Sequence, residues 1–292
     1  MRRQFTSLFL LMILSAISLP SFAISLSWAG CGITKKAFMA ELAAAYEKKS
    51  GTRIELEGGG ATKGIRKIAN REVDFSGSCR FRVDADRIST SLIQFNPVAW
   101  DALTVVVHRS NPIESISIGQ LRDVFKGEIT NWSELGGSDQ PLELLVRNGK
   151  VSGVGHTIRK LLFGDEAIEF TGSESFKSSG PLEKAVEQNP NAIAVTGISS
   201  ARKRDFKIVS LDGREPSYEN IKRGDYLLYR PLYIVTNRES DNLAAVRSFL
   251  NFAHSREGRE IIRKNGAVPY LEAVWLNNNV QRQWKEARGI NN

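Results

Sequence analysis

Beyond its first two dozen residues, the 292-residue chain has no apolar run long enough to cross a bilayer as a helix, which takes about 20 residues. It is also poor in catalytic signatures. No nucleophile, base and acid stand at a recognisable spacing. The glycine-rich stretch GGGATKG (Gly58–Gly64) lacks both the spacing and the Lys-Ser/Thr end of a Walker A loop. Asp74 and Asp84 read as a strand cap and a solvated loop residue rather than paired acids. The chain therefore does not read as an enzyme. Long basic blocks are missing too: lysines and arginines are interleaved with acids, as in KRGDYLLYR, which argues against nucleic acid. There are two cysteines, Cys31 and Cys79, which in an exported chain permit one disulfide.

What is present begins with MRRQFTSLFLLMILSAISLPSFA. Two arginines precede a continuous apolar stretch, followed by Pro20 and a small-x-small ending at Ser21 and Ala23. This pattern predicts a secretory signal peptide over residues 1–23, cleaved after Ala23, and hence a periplasmic location. The apolar stretch is short for a membrane anchor. A lipoprotein cut at Cys31 would place the bulky Trp28 in the cleavage motif and discard a strand. The formal charge is +8, and removing Arg2 and Arg3 lowers it by two to +6, a balance suited to anionic ligands. The mature chain is long enough for two lobes with cores of their own.

A short apolar run at Leu26–Ala29 stops at Gly30-Cys31-Gly32, and Phe38, Leu42 and Tyr46 then mark one face of a helix. The alternating Ile54 and Leu56 predict a strand ending at three glycines. Ile65 and Ile68 mark a short helix, and Val73 and Phe75 another strand. VAWDALTVVVHRSNP reads as a buried strand, and SIGQLRDVFKGEITNW as a helix closed by Gly127. The strand–glycine turn–helix theme returns in PLELLVRNGKVSGVGHTIRKLLFG. Two helices are predicted in NLAAVRSFLNFAHSREGREIIRKNG, and a polar tail that frays after Pro269. Strands repeatedly followed by helices imply an α/β fold with a mostly parallel sheet. Ligands in such folds gather at the carboxyl ends of strands. Four turns, 30–34, 58–64, 76–80 and 151–157, hold that position.

The stretch SLDGREPSYENIKRGDYLLYRPLYIVTN (Ser210–Asn237) carries a specific resemblance. Asp212-Gly213, Pro216-Ser217, Glu219-Asn220-Ile221, Gly224, Tyr226 and Arg230-Pro231-Leu232-Tyr233 are similar to the periplasmic phosphate-binding proteins of ABC transporters. QLRDVFKGEITNWSELGG and FLNFAHSREGREIIRKNGAVP are also typical of that family. The resemblance covers nearly all of the mature chain. It implies a type II two-lobed solute-binding fold, each lobe a mostly parallel sheet flanked by helices, joined by a two-stranded hinge. Residues 24–103 and 235–292 would form one lobe and 104–234 the other, with crossings near Val105–Arg109 and Arg230–Ile234. A monomer serving an ABC permease or membrane sensor, and no cofactor, are implied likewise.

The resemblance also implies a ligand set. Helix-start amides and small hydroxyl residues surround the anion in that family, often with an arginine. Here Arg80, Ser152 and Gly153 match, whereas Cys31, Ala61, Cys79, Val154 and Gly155 replace the usual residues. The expected contacts are Cys31, Gly32, Thr62, Lys63, Cys79, Arg80, Arg147, Ser152, Gly153 and His156, around phosphate or a phosphate-like oxyanion. A thiol is a poor donor beside a hydroxyl, and a desolvated phosphate needs its oxygens satisfied. Three readings of the cysteines stand open: a disulfide between two loops, inert buried thiols, or a thiol pair. The last, with His156, would take a thiophilic ligand such as trivalent arsenic, a soft metal or a haem-like cofactor. A structural or adhesion role without ligand is a further alternative.

Overall fold

Leu26, Trp28 and Ala29 are fully buried where the first apolar run forms β1 (Ser25–Gly30). The computed structural model describes residues 25–289 apart from Thr90 and Ser173, so the expected signal peptide lies outside the described residues. The strands that follow are β2 (Arg53–Gly58), β3 (Phe75–Ser78), β4 (Ile93–Val107), β5 (Ser115–Ile116) and β6 (Glu143–Arg147). They continue as β7 (Glu174–Phe176), β8 (Ala192–Gly197), β9 (Lys207–Leu211), β10 (Tyr229–Asn237) and β11 (Val268–Pro269). Along one path the order is β2-β1-β3-β10-β4-β8-β6-β7, with β9 and β11 pairing to β4 and β5 to β9.

The sheet is mixed, not mostly parallel as the strand–helix alternation implied. Strands returned by a helix do pair parallel, as in β1 with β2 and β3, and β6 with β7 and β8. The long β4 is different. Its first part, Ile93–Ala102, pairs antiparallel with β10, and Leu103–Val107 pairs antiparallel with β8. A 15-residue strand spans roughly 50 Å at about 3.3 Å per residue, longer than either half of the sheet needs. It is therefore shared between them, and β10, β8 and β9 all meet it antiparallel.

The helix after β1 starts at Gly32–Thr34, widens through a π-helical turn at Lys35–Met39 and continues as Ala40–Ser50. Phe38, Leu42 and Tyr46 are buried along it, as their spacing predicts. Tyr46 packs against Phe249 and Phe252 with ring centroids 5.2 and 5.3 Å apart. Gly51 (φ 74°) then ends the helix in the left-handed conformation that glycine adopts without strain. Gly64 has a different reason. A Cβ there would stand 2.6 Å from the Ala29 carbonyl oxygen, so only glycine lets helix Ala61–Ala69 lie this close to β1.

The segment after Pro269 does not fray. It folds into short turns and helix Val280–Ala287, with Leu276, Gln283 and Ala287 buried. Its polar composition misled because Gln283 Nε2 donates to the carbonyls of Leu227 (2.7 Å) and Tyr229 (2.6 Å). A buried amide with both partners supplied anchors the tail rather than freeing it.

Candidate anion-binding cleft

Helix starts define the site. Gly32–Thr34 follows Cys31, Ala61–Ala69 follows Gly60, and Gly153–Ile158 follows Ser152. A fourth, Ser179–Gln188, follows Ser178. Residues from all four line one cavity of about 430 Å³. The first amides of a helix have no partner within it, and the helix dipole makes that end attractive to anions. Ser152 Oγ caps its own helix by accepting from Gly155 N at 3.2 Å, whereas Ser178 makes no such side-chain cap.

Cys31 and Cys79 are joined by a disulfide, with Cα atoms 6.2 Å apart, and both line the cavity. This removes the thiol pair that a thiophilic ligand needs. Among the described residues no group of three His, Cys, Asp or Glu side chains is placed to hold a metal ion. With its sulfur in the disulfide, Cys31 is also unavailable as a lipoprotein attachment point.

Of the residues expected at the ligand, the cavity collects Cys31, Gly32, Thr62, Cys79, Arg147, Ser152 and Gly153. Three others stand elsewhere. Lys63 is half exposed and pairs with Glu57 at 2.6 Å, which with Lys67 holds the Glu57 carboxyl down at about 2. Arg80 is fully buried and saturated: its guanidinium meets both Asp86 oxygens, at 2.5 and 2.8 Å, and donates to the carbonyls of Val151 and Phe81. His156 is buried beside a second cavity, near Lys150 and Glu166. Burial pushes its imidazole down to about 4, against the opposing pull of Glu166, whose Oε1 lies 3.7 Å from Nε2.

Of the cavity's cations only Arg147 was expected from the sequence. Lys36, Lys177 and Arg204 join Arg147 in the lining, and no carboxylate does. The buried Glu183 neutralises part of this, reaching Lys36 at 3.0 Å and Arg204 at 3.1 Å, with Glu187 a further 3.5 Å partner of Arg204. Arg147 and Lys177 have no ion-pair partner among the described residues. Burial lowers Arg147 to about 10, which still leaves it charged at neutral pH. Arg147 donates to the carbonyls of Phe176 and Lys177 and to Ser179 Oγ, so it fixes the Lys177–Gly180 turn. That turn had a local signal, the Ser-Ser-Gly-Pro of SFKSSGPLEK, since serine caps helices and proline suits a first turn. Lys36, Ser200 and Arg204 had none, because only the tertiary fold brings them to the cavity.

Curled mixed sheet, flanking helices and a cleft of helix starts define a periplasmic-binding-protein-like solute receptor. Residues 30–257 match the family model for the PBP superfamily domain, and the chain belongs to that superfamily. It is 24% identical over 249 residues to the phosphate-binding protein PstS of Bacillus subtilis (strain 168), covering 85% of this chain and 81% of that one. It is 29% identical over 229 residues to protein SphX of Synechococcus elongatus, covering 72% of this chain and 67% of that one. Among solved structures, a phosphate ABC-type transport receptor of Vibrio cholerae aligns with TM-score 0.64 and 23% identity, over 83% of this chain and 99% of that one. The PstS protein of Borrelia burgdorferi aligns with TM-score 0.52 and 24% identity, over 84% and 98%. The fold thus resembles phosphate ABC-transporter substrate-binding proteins of the PstS type. The chain is thus a solute-binding protein of the family to which the PstS and SphX proteins are related, a class that carries solutes without transforming them, and not an enzyme.

Proposed function

We propose that this protein captures a small oxyanion, phosphate or phosphate-like, in the cleft and presents it to an ABC permease or a membrane sensor. The observation that carries the reading is the cavity itself: helix starts on several sides, Arg147 and Lys177 unpaired by carboxylates, and no carboxylate in the lining. Fixed amides and cations favour an anion, and a carboxylate-free wall imposes no repulsion. The names of the related PstS proteins support the same ligand class.

In this reading the two halves of the sheet are lobes. One holds β1, β2, β3, Ile93–Ala102 of β4 and all of β10, including Tyr229–Ile234, which the division at 234 assigned to the other lobe. The other holds Leu103–Val107 of β4 with β6, β7, β8 and β9. Opening and closing about the shared β4 admits and releases the ligand. The mature protein, from Ile24 on and acting as a monomer, is the form to test. Isothermal titration against phosphate, sulfate, arsenate and molybdate should give saturable heat with at least one, and thermal unfolding should shift upward with it. No heat and no shift with any of the four, nor with an organic phosphate, would leave a scaffold or adhesion role.

A further inference from the structure

We propose that the preferred ligand is a phosphate monoester of a small uncharged organic molecule rather than orthophosphate, an inference that rests on the anion-binding reading above. Three observations carry it.

The cavity is large although the halves of the sheet already touch across it. On one rim Thr62 Oγ1 and Arg80 Nε, both from the first half, donate to the Val151 carbonyl at 2.9 and 2.8 Å. On the other, Lys36 Nζ donates to Glu183 at 3.0 Å and to Ser200 Oγ at 2.8 Å. With the halves in contact at both rims, a solvent-open cleft of about 430 Å³ remains, lined from both halves. A tetrahedral oxyanion fills the room of two or three waters, about 30 Å³ each in the liquid, whereas this volume is that of an organic-ligand pocket.

Charge limits the ligand to one phosphoryl group. Lys36 and Arg204 face Glu183 and Glu187, which leaves Arg147 and Lys177, an excess of two positive charges. A dianion balances them, and a diphosphate exceeds them.

The lining suits an ester. Beside the helix-start amides it offers the disulfide and the side chains of Ala61 and Val154, which donate no hydrogen bond. Orthophosphate has four oxygens to satisfy when desolvated, while a monoester has three terminal oxygens and a weakly accepting bridge. Its carbon body would lie on this donor-free wall.

The test is titration of the mature protein with sn-glycerol 3-phosphate, glucose 6-phosphate, orthophosphate and diphosphate. At least one monoester should bind tenfold or more tighter than orthophosphate and diphosphate. Gly58 lines the cavity, and a Cβ there meets nothing within 4 Å, so Gly58→Leu adds an apolar side chain at the cavity wall with no clash at its Cβ. Its monoester affinity should fall at least tenfold, and more than its orthophosphate affinity, with the melting temperature retained. Orthophosphate or diphosphate binding as tightly as the best ester, or an unchanged ester affinity in Gly58→Leu, would overturn the inference and leave the anion reading intact. Absence of binding by all four, and by sulfate, arsenate and molybdate, would remove both.

Discussion

Arg230 Nη2 lies 3.3 Å from Asp101 Oδ2, and neither side chain reaches solvent. The two residues face each other across the antiparallel pair β4 and β10. Each also reaches the cleft's surroundings: Arg230 Nη1 donates to the Cys79 carbonyl at 2.8 Å, and Asp101 Oδ1 accepts from Ser199 N and Oγ at 3.1 and 2.6 Å. Burial lowers the Arg230 pKa from its ordinary value, and the Asp101 carboxylate opposes that shift. The pair joins the disulfide turn to the helix after β8.

Asp101→Ala should therefore destabilise the protein by about 3–5 kcal/mol, because it strands a buried guanidinium without its counter-charge. The double variant Asp101→Ala, Arg230→Met should lose less than the two single losses added together. Urea unfolding of the four proteins measures both. Additive losses would show that the residues do not act as a pair.

The disulfide closes a loop of sequence separation 48. Chain-entropy arguments put its worth at about 2–4 kcal/mol. Protein unfolded without reductant should show no free thiol, and Cys31→Ser, Cys79→Ser should melt lower. Detection of two thiols in that first measurement would refute the bond.

Arg80 should behave as a structural residue. Arg80→Ala leaves the Asp86 carboxylate buried and unpaired, at a cost of about 3–5 kcal/mol. Lys177→Ala should change stability by less than about 0.5 kcal/mol, since the side chain is exposed, yet weaken anion binding in a salt-dependent manner. Unfolding curves and titrations at two ionic strengths separate the two roles. The assignment fails if Arg80→Ala folds with full stability or Lys177→Ala binds as before.

His156 predicts an acid limb. Its folded pKa, about 4, is below the ordinary value of about 6.5, because burial penalises the charged ring. Between these values the unfolded chain holds more protons than the folded one, so stability falls as pH drops from about 6.5 toward 4. The contribution from this group is fully present above about pH 6.5. His156→Gln should flatten that limb relative to the parent, as read by denaturant midpoints across the range. An unchanged slope would mean the ring already protonates in the fold.

Periodicity alone placed the buried face Phe38, Leu42, Tyr46 and the glycine turns that border the cavity, because helix and strand repeats and turn chemistry are local properties of the chain. The helix opening at Gly180-Pro181 was legible for the same reason, though its place at the cavity was not. The pairing direction of β4 was not local: a long strand shared by two halves is decided by its partners, and its own residues carry no sign of which way they run. Side-chain partnership was equally hidden. Arg80 resembles an anion-binding arginine until Asp86 takes its guanidinium, and Lys63 resembles a pocket lysine until Glu57 pairs with it. Lys36 and Arg204, 168 positions apart, meet on Glu183. Sequence thus determined where backbone amides would be exposed, and tertiary structure decided which charges remain free, since a charge's availability depends on what folding brings within about 4 Å of it.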